Sequence, residues 1–256
     1  MYTKIIVICF IPLLIFTGCQ QSEGQEVELT ISTAASLIDV MEEIAEDYEK
    51  EHSVSITLNA GSSGKIAQQI QQGAPVDAII SADEQWTNRL AEGEHIHTDT
   101  QQAIVENTLV LIASEGNNKS IEHLAQLSIK DDASIVIGDP DSVPAGKYAR
   151  QSLQQAGIWE DIEDHLVYAN DARQVLTYVE SNNADFGLVY TSDAMVSEQV
   201  KVINEVGANT HDTIVYPAAV TSQSTNPDEA EAFLDSLQSE ETQEIFKSYG
   251  FKLEQE

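Results

Sequence analysis

Two hydrophobic periods alternate along this chain. Short runs that are alternating or continuously apolar predict strands, and segments with apolar residues every three or four positions predict helices. The first strand is Val27-Glu28-Leu29-Thr30-Ile31-Ser32. A helix follows with Leu37, Val40, Met41, Ile44, Ala45 and Tyr48 on one face. Ser36, with Asp39 three residues on, fits a capping box for that helix. The pattern repeats: strand Val54–Leu58, then a helical stretch from Ile66 stopped by Gly73; strand Val76–Ser81, then a helix to Leu90 stopped by Gly93. Thr108–Ala113 is apolar along its length, as expected of a buried parallel strand. Residues Ile121–Leu127 predict a short helix. Further pairs are strand Ser134–Gly138 with a helix opening at Pro144, strand His165–Tyr168 with a helix capped by Asn170-Asp171, and strand Asp185–Tyr190 with a helix from Ser192-Asp193. Strands Val200–Val206 and Thr213–Ser222 precede two last helices, from Pro227 and over Glu241–Ser248.

This alternation predicts the α/β class with mainly parallel sheets. No Pro/Gly/Ser-rich linker divides the 256 residues, so two lobes would be interwoven rather than strung in series.

The strand-to-helix junctions share one chemistry. Asn59-Ala60-Gly61-Ser62-Ser63-Gly64-Lys65-Ile66 places two serines between glycines at a helix start. Unpaired N–H groups and the positive end of the helix dipole make such a start a cradle for anions. Ser36, Pro144-Ala145-Gly146 and Asn170-Asp171-Ala172 occupy equivalent junctions, and Tyr190 ends a strand at the same level. In open α/β sheets these ends gather at one edge, where ligands bind. The donors are hydroxyls and backbone N–H groups. Lys65, Lys147 and Arg173 stand next to the junctions, at positions where long cations point to solvent or pair with nearby acids. On this reading Ser63 is a ligand, Ser62 supports it, and Lys65 is a bystander facing solvent.

Charge narrows the partners. Lys and Arg total 12 against 43 Asp and Glu, a formal net charge of −31. Nucleic acid and anionic membrane surfaces need a basic face, so neither is a partner. Other constellations lack support. Gly61-x-x-Gly64-Lys65-Ile66 is too short for a P-loop and has no Ser/Thr after the lysine. Gly61-Ser62-Ser63-Gly64-Lys65 is not a nucleophile elbow. His95-Ile96-His97 lies in a polar loop without further ligand-like spacing. A serine hydrolase built on Ser63 would need a histidine base, and no histidine lies near any junction in the sequence.

The N-terminus changes the picture again. Lys4 precedes an apolar run, Ile5–Phe16, too short for a membrane span and followed by Thr17-Gly18-Cys19. Small residues before a cysteine resemble a lipobox. Residues 1–18 are then a lipoprotein signal peptide, Cys19 is diacylated, and 19–26 form a tether. The other cysteine, Cys9, lies inside the signal, so the folded part holds no thiol for a disulfide, nucleophile or metal site.

The junctions also carry a family resemblance. Ala34-Ala35-Ser36-Leu37, Gly61-Ser62-Ser63, Gly73-Ala74-Pro75-Val76-Asp77, Ile80-Ser81-Ala82-Asp83, Gly138-Asp139-Pro140, Val143-Pro144-Ala145-Gly146, Gly187-Leu188-Val189-Tyr190 and Ile245-Phe246-Lys247-x-Tyr249-Gly250-Phe251 resemble, in order over about 28–253, the extracytoplasmic molybdate-binding proteins of ABC transporters. The resemblance implies a type II periplasmic-binding-protein fold. Lobe one would be 27–106 plus 216–256 and lobe two 107–215, closing like a hinge on the ligand. It implies that Ser36 and Ser63 from lobe one, and Ala145, Ala172 and Tyr190 from lobe two, hold the oxyanion. They would meet molybdenum only through its oxygens, with no direct metal ligand and no cofactor. It also implies tungstate as a second ligand, a permease and an ATPase as partners, a monomer, and an extracytoplasmic, lipid-anchored location. Two departures are visible: Ala172 stands where relatives often have valine, and Gly64 where a third serine is common, which would loosen that turn. A receptor for another tetrahedral oxyanion such as sulfate, or a serine hydrolase, is the alternative.

Overall fold

A computed structural model describes residues 27–119, 121–127 and 133–253. The signal peptide, Cys19 and the tether lie outside the described residues. In chain order the strands are β1 (Val27–Ala34), β2 (Val54–Gly61), β3 (Ala78–Ile80), β4 (Gln102–Asn107), β5 (Leu109–Ser114), β6 (Ile135–Gly138), β7 (Leu166–Ala169), β8 (Phe186–Tyr190), β9 (Val200–Glu205) and β10 (Ile214–Val220). The helices are α1 (Ile38–Glu51), α2 (Ser63–Gln71), α3 (Glu84–Glu92), α4 (Pro144–Gln155), α5 (Trp159–Ile162), α6 (Ala172–Glu180), α7 (Thr191–Met195), α8 (Pro227–Ser236) and α9 (Glu240–Ser248).

The strands form two five-stranded sheets of matching design, β2-β1-β3-β10-β4 and β7-β6-β8-β5-β9. The chain passes from the first to the second at Thr108, between β4 and β5, and returns between β9 and β10. Each sheet therefore takes in a strand from a chain that has just left the other. Those two strands run against their neighbours. β10 is antiparallel to β3 and β4, and β5 is antiparallel to β8 and β9, while β1 is parallel to β2 and β3 and β6 is parallel to β7 and β8. Four of the five strands in each sheet point the same way, as expected of mainly parallel sheets; the correction falls on Thr108–Ala113, expected to be a parallel strand, which is the reversed strand β5. The apolar run in β5 reported burial on both faces, which all six of its residues show, and burial does not encode direction.

Other local differences have plain causes. Residues 121–127 hold only a 3-10 turn at Leu124–Gln126. β4, with polar Gln102, Glu106 and Asn107, escaped the apolar criterion; it is an edge strand paired with β10 alone within the sheet. Helix faces follow the predicted periodicity: Val40, Met41, Ile44 and Ala45 of α1, and Ala172, Val175, Leu176 and Val179 of α6, are buried. Gly73 closes α2 at φ +88, a conformation that costs glycine little.

Candidate functional site

Three helix starts and two strand ends converge on the seam between the sheets. Ser63 is the first residue of α2, Ala145 the second of α4 and Ala172 the first of α6. First-turn N–H groups have no acceptor within their own helix, so each start offers donors and a positive dipole end. Tyr190 ends β8. Ser36 lies in a 3-10 turn, Ala35–Leu37, between β1 and α1. Ser36, Ser63, Ala145, Ala172 and Tyr190 line one cavity, with Ser62, Ala34, Ala35, Gly61, Ala82, Val143, Pro144 and Asp171. The cavity volume is about 10 Å³. That is below the roughly 300–1,000 Å³ of sites for organic ligands and suits a small ion.

The hydrogen-bond pattern gives the cavity a polarity. The Ala82 N–H donates to Ser63 Oγ at 3.0 Å, and the Lys65 N–H to Ser62 Oγ at 3.4 Å. Each serine oxygen is thus already accepting, which leaves its own hydrogen available. Tyr190 is 1% exposed, and among the described residues its hydroxyl has no hydrogen-bond partner. Burial first, and the neighbouring Tyr216 and Tyr148 next, push the Tyr190 phenol well above its ordinary pKa, so it stays a protonated donor. An unpartnered buried hydroxyl costs roughly 1–3 kcal/mol, which a ligand acceptor would relieve. Among the described residues, no lysine, arginine or histidine lines the cavity. The one carboxylate there, Asp171, accepts from the Gln174 N–H at 2.8 Å as the cap of α6.

The expected capping box at Ser36 does not form. Ser36 Oγ instead bonds the Tyr216 hydroxyl at 2.9 Å, and Asp39 pairs with Arg173. α1 begins only at Ile38 with Leu37 at its N-cap, so Ser36 lies one residue too early to cap it. Lys65 is exposed and does not line the cavity, as expected, and its Nζ also donates to Asn170 Oδ1 at 2.8 Å, across the seam. Lys147 and Arg173 pair with acids as expected, and one acid of each, Asp83 and Asp39, lies at a junction of the opposite sheet. Lys147 Nζ lies 2.8 Å from Asp83, and Arg173 joins Asp39 to the fully buried Asp193, at 3.1 Å from the latter. Burial pushes the Asp193 carboxyl up to about 6, against the opposing pull of Arg173 and of the Tyr190 N–H.

Gly64 has a role different from a loosened turn. Its N–H donates to Ser142 O at 3.1 Å, and a Cβ there would sit 2.6 Å from that oxygen and 2.8 Å from Trp86 Cζ2. Glycine lets the two halves approach at this point. Gly146 does the same between α4 and β6, where a Cβ would lie 2.0 Å from Gly138 O. Tyr216 and Asn107, behind Ser36, were missed from the sequence. A single hydroxyl in the buried run Ile214–Val220 was the available signal, because a buried tyrosine O–H needs a partner.

Residues 29–252 match the family model for bacterial extracellular solute-binding proteins. The chain belongs to this family. It is a family of binding components rather than enzymes and acts outside the cytoplasm. Among similar proteins is the molybdate-binding protein ModA of Escherichia coli strain K12, 36% identical over 244 residues, covering 94% of this chain and 95% of the relative. YvgL of Bacillus subtilis strain 168, provisionally named an ABC transporter substrate-binding lipoprotein, is 37% identical over 257 residues with 98% of each chain covered. The solved periplasmic molybdate-binding protein of Azotobacter vinelandii superposes with a TM-score of 0.80 at 24% identity, covering 89% of this chain and all of that one. The two-sheet architecture is accordingly the type II periplasmic-binding-protein fold.

Proposed function

We propose that this protein captures molybdate, and tungstate with it, outside the cytoplasm and delivers it to the permease of an ABC transporter. The observation that carries this reading is the cavity itself. Ser36, Ser63, Ala145, Ala172 and Tyr190, all buried, line a small space with hydroxyls and helix starts and, among the described residues, without a cation. A tetrahedral dianion has only acceptors, so a site of neutral donors satisfies it. Charge-assisted hydrogen bonds contribute roughly 1.5–3 kcal/mol each. Five of them, less ordering and association costs, leave about 8–12 kcal/mol, which is micromolar to nanomolar affinity. The ligand meets the protein through its oxygens and needs no cofactor.

The lobes follow the two sheets, with boundaries after Asn107 and before Ile214, one and two residues from those expected, and they close on the ligand about the two passages between the sheets. The protein acts as a monomer held at the membrane through a lipid on Cys19. Replacing Cys19 with alanine should release it from the membrane fraction. The relatives' names support molybdate over sulfate; the cavity supports a tetrahedral oxyanion in general. Calorimetric titration with molybdate, tungstate, sulfate and phosphate decides between them. Molybdate and tungstate should bind with similar affinity and sulfate far more weakly, by cavity size. Tight sulfate binding with no molybdate heat would overturn the assignment.

A further inference from the structure

Behind Ser36 lies a second layer of hydrogen bonds outside the cavity lining. Asn107 ends β4, and Tyr216 is in β10, paired strands next to the passages between the sheets. The orientation of the Asn107 amide follows from its neighbour. The Thr108 N–H donates to Asn107 Oδ1 at 2.8 Å, and a backbone N–H can only donate, so the amide oxygen must face it. Nδ2 therefore faces Ser192 Oγ at 2.9 Å and the Tyr216 hydroxyl at 3.4 Å. An amide NH₂ also only donates, so the Tyr216 oxygen accepts from it. The single phenolic hydrogen is then left with Ser36 Oγ, at 2.9 Å, as its acceptor. The opposite polarity would strand that hydrogen in a site with 0% exposure. Burial, and then the charge of Asp193, raise the Tyr216 phenol well above its ordinary pKa, so the hydrogen is always there to give.

Because Ser36 accepts from Tyr216 with one of its lone pairs, its own hydrogen is not spent on that partner and is free to donate into the cavity. We propose that Asn107 and Tyr216 are positioning residues that fix Ser36 as a donor, and that they thereby select fully deprotonated tetrahedral dianions over hydrogen-bearing dianions. Ser63 is fixed in the same sense by the Ala82 N–H. That clamp is backbone, whereas the clamp on Ser36 is made of side chains and can be removed. The inference rests on the oxyanion reading above.

The test uses molybdate and hydrogen phosphate at mildly alkaline pH, where both carry two negative charges and only phosphate carries a hydrogen. Affinities are read by calorimetry, with phosphate measured by competition. Tyr216→Phe should weaken molybdate about tenfold and phosphate less, narrowing the ratio of the two affinities. In a Ser36→Ala background the same substitution should shift molybdate affinity less than about twofold, because the group it acts through is gone. Asn107→Asp turns the donor facing Tyr216 into an acceptor and so reverses the relay. Its added charge penalises both dianions alike, so the narrowed ratio remains the readout, and it decides the matter if Tyr216→Phe does not fold. Equal loss for both ions, or an undiminished Tyr216→Phe effect without Ser36, would overturn the proposal. If the unmodified protein binds sulfate but not molybdate, the functional reading falls and the same ratio is taken with sulfate. Absence of heat with every oxyanion overturns both.

Discussion

Replacing Tyr190 with phenylalanine should separate affinity from stability. The substitution removes one oxygen and leaves the ring, which packs edge-on against Tyr216 with centroids 5.9 Å apart. In the closed cleft that oxygen has no partner, so nothing in the fold is left unpaired by its loss. A bound dianion loses one charge-assisted donor, worth about 1.5–3 kcal/mol, so its Kd should rise roughly 10- to 150-fold. The ligand's stabilisation of the fold should shrink by the same free energy. For a protein of this size that is about 3–12 °C less ligand-induced rise in Tm. The ligand-free Tm should hold or increase, because the deleted hydroxyl is an unsatisfied one. Calorimetric titration and thermal melts with and without molybdate measure all three quantities. An affinity within about twofold of the unmodified protein would refute the placement of Tyr190 in the site. A lower ligand-free Tm would refute the claim that its hydroxyl has no structural partner.

Three further outcomes are expected. Gly64→Ala should weaken ligand binding about 5- to 150-fold through roughly 1–3 kcal/mol of overpacking against Ser142 and Trp86; since Ser142 belongs to the opposite half, small-angle scattering with saturating ligand should show a less compact particle, and unchanged affinity would count against the close approach. Asp193 has its folded pKa raised from 3.8 to about 6, so the folded state holds the extra proton and this carboxyl's contribution to stability falls as pH rises through that window; the Tm of the unmodified protein relative to Asp193→Asn should fall between about pH 4 and 6, and parallel pH profiles would exclude the buried ionisation. The net charge of −31 repels an approaching dianion, so the association rate should rise with ionic strength as screening increases; a stopped-flow rate that falls with salt would contradict this.

Much of the candidate site was legible before any tertiary structure. Ser63, Ala145 and Ala172 stand at helix starts, and helix starts are written locally in caps, glycines, Pro144 and the onset of a period near 3.6. Their chemistry comes from the backbone, so it needs no distant partner to exist. The alternation of strands and helices likewise announced the α/β class. Strand direction was not legible. β5 and β10 are buried along their lengths, and their apolar runs are the same whichever way they point. What they do follows from the chain passing twice between the sheets.

The sequence by itself determined which segments are strands and helices and which junctions carry donors, because those properties depend on residues within a turn or two of one another. The tertiary structure alone decided what each donor's other side is bonded to. Ser36 meets Tyr216 across 180 positions, Lys65 meets Asn170 across 105, and Arg173 meets Asp39 across 134. Such pairings are set by sheet register and by how closely Gly64 lets the halves approach. No local period encodes them, and they turn a set of helix starts into a closed site of one polarity.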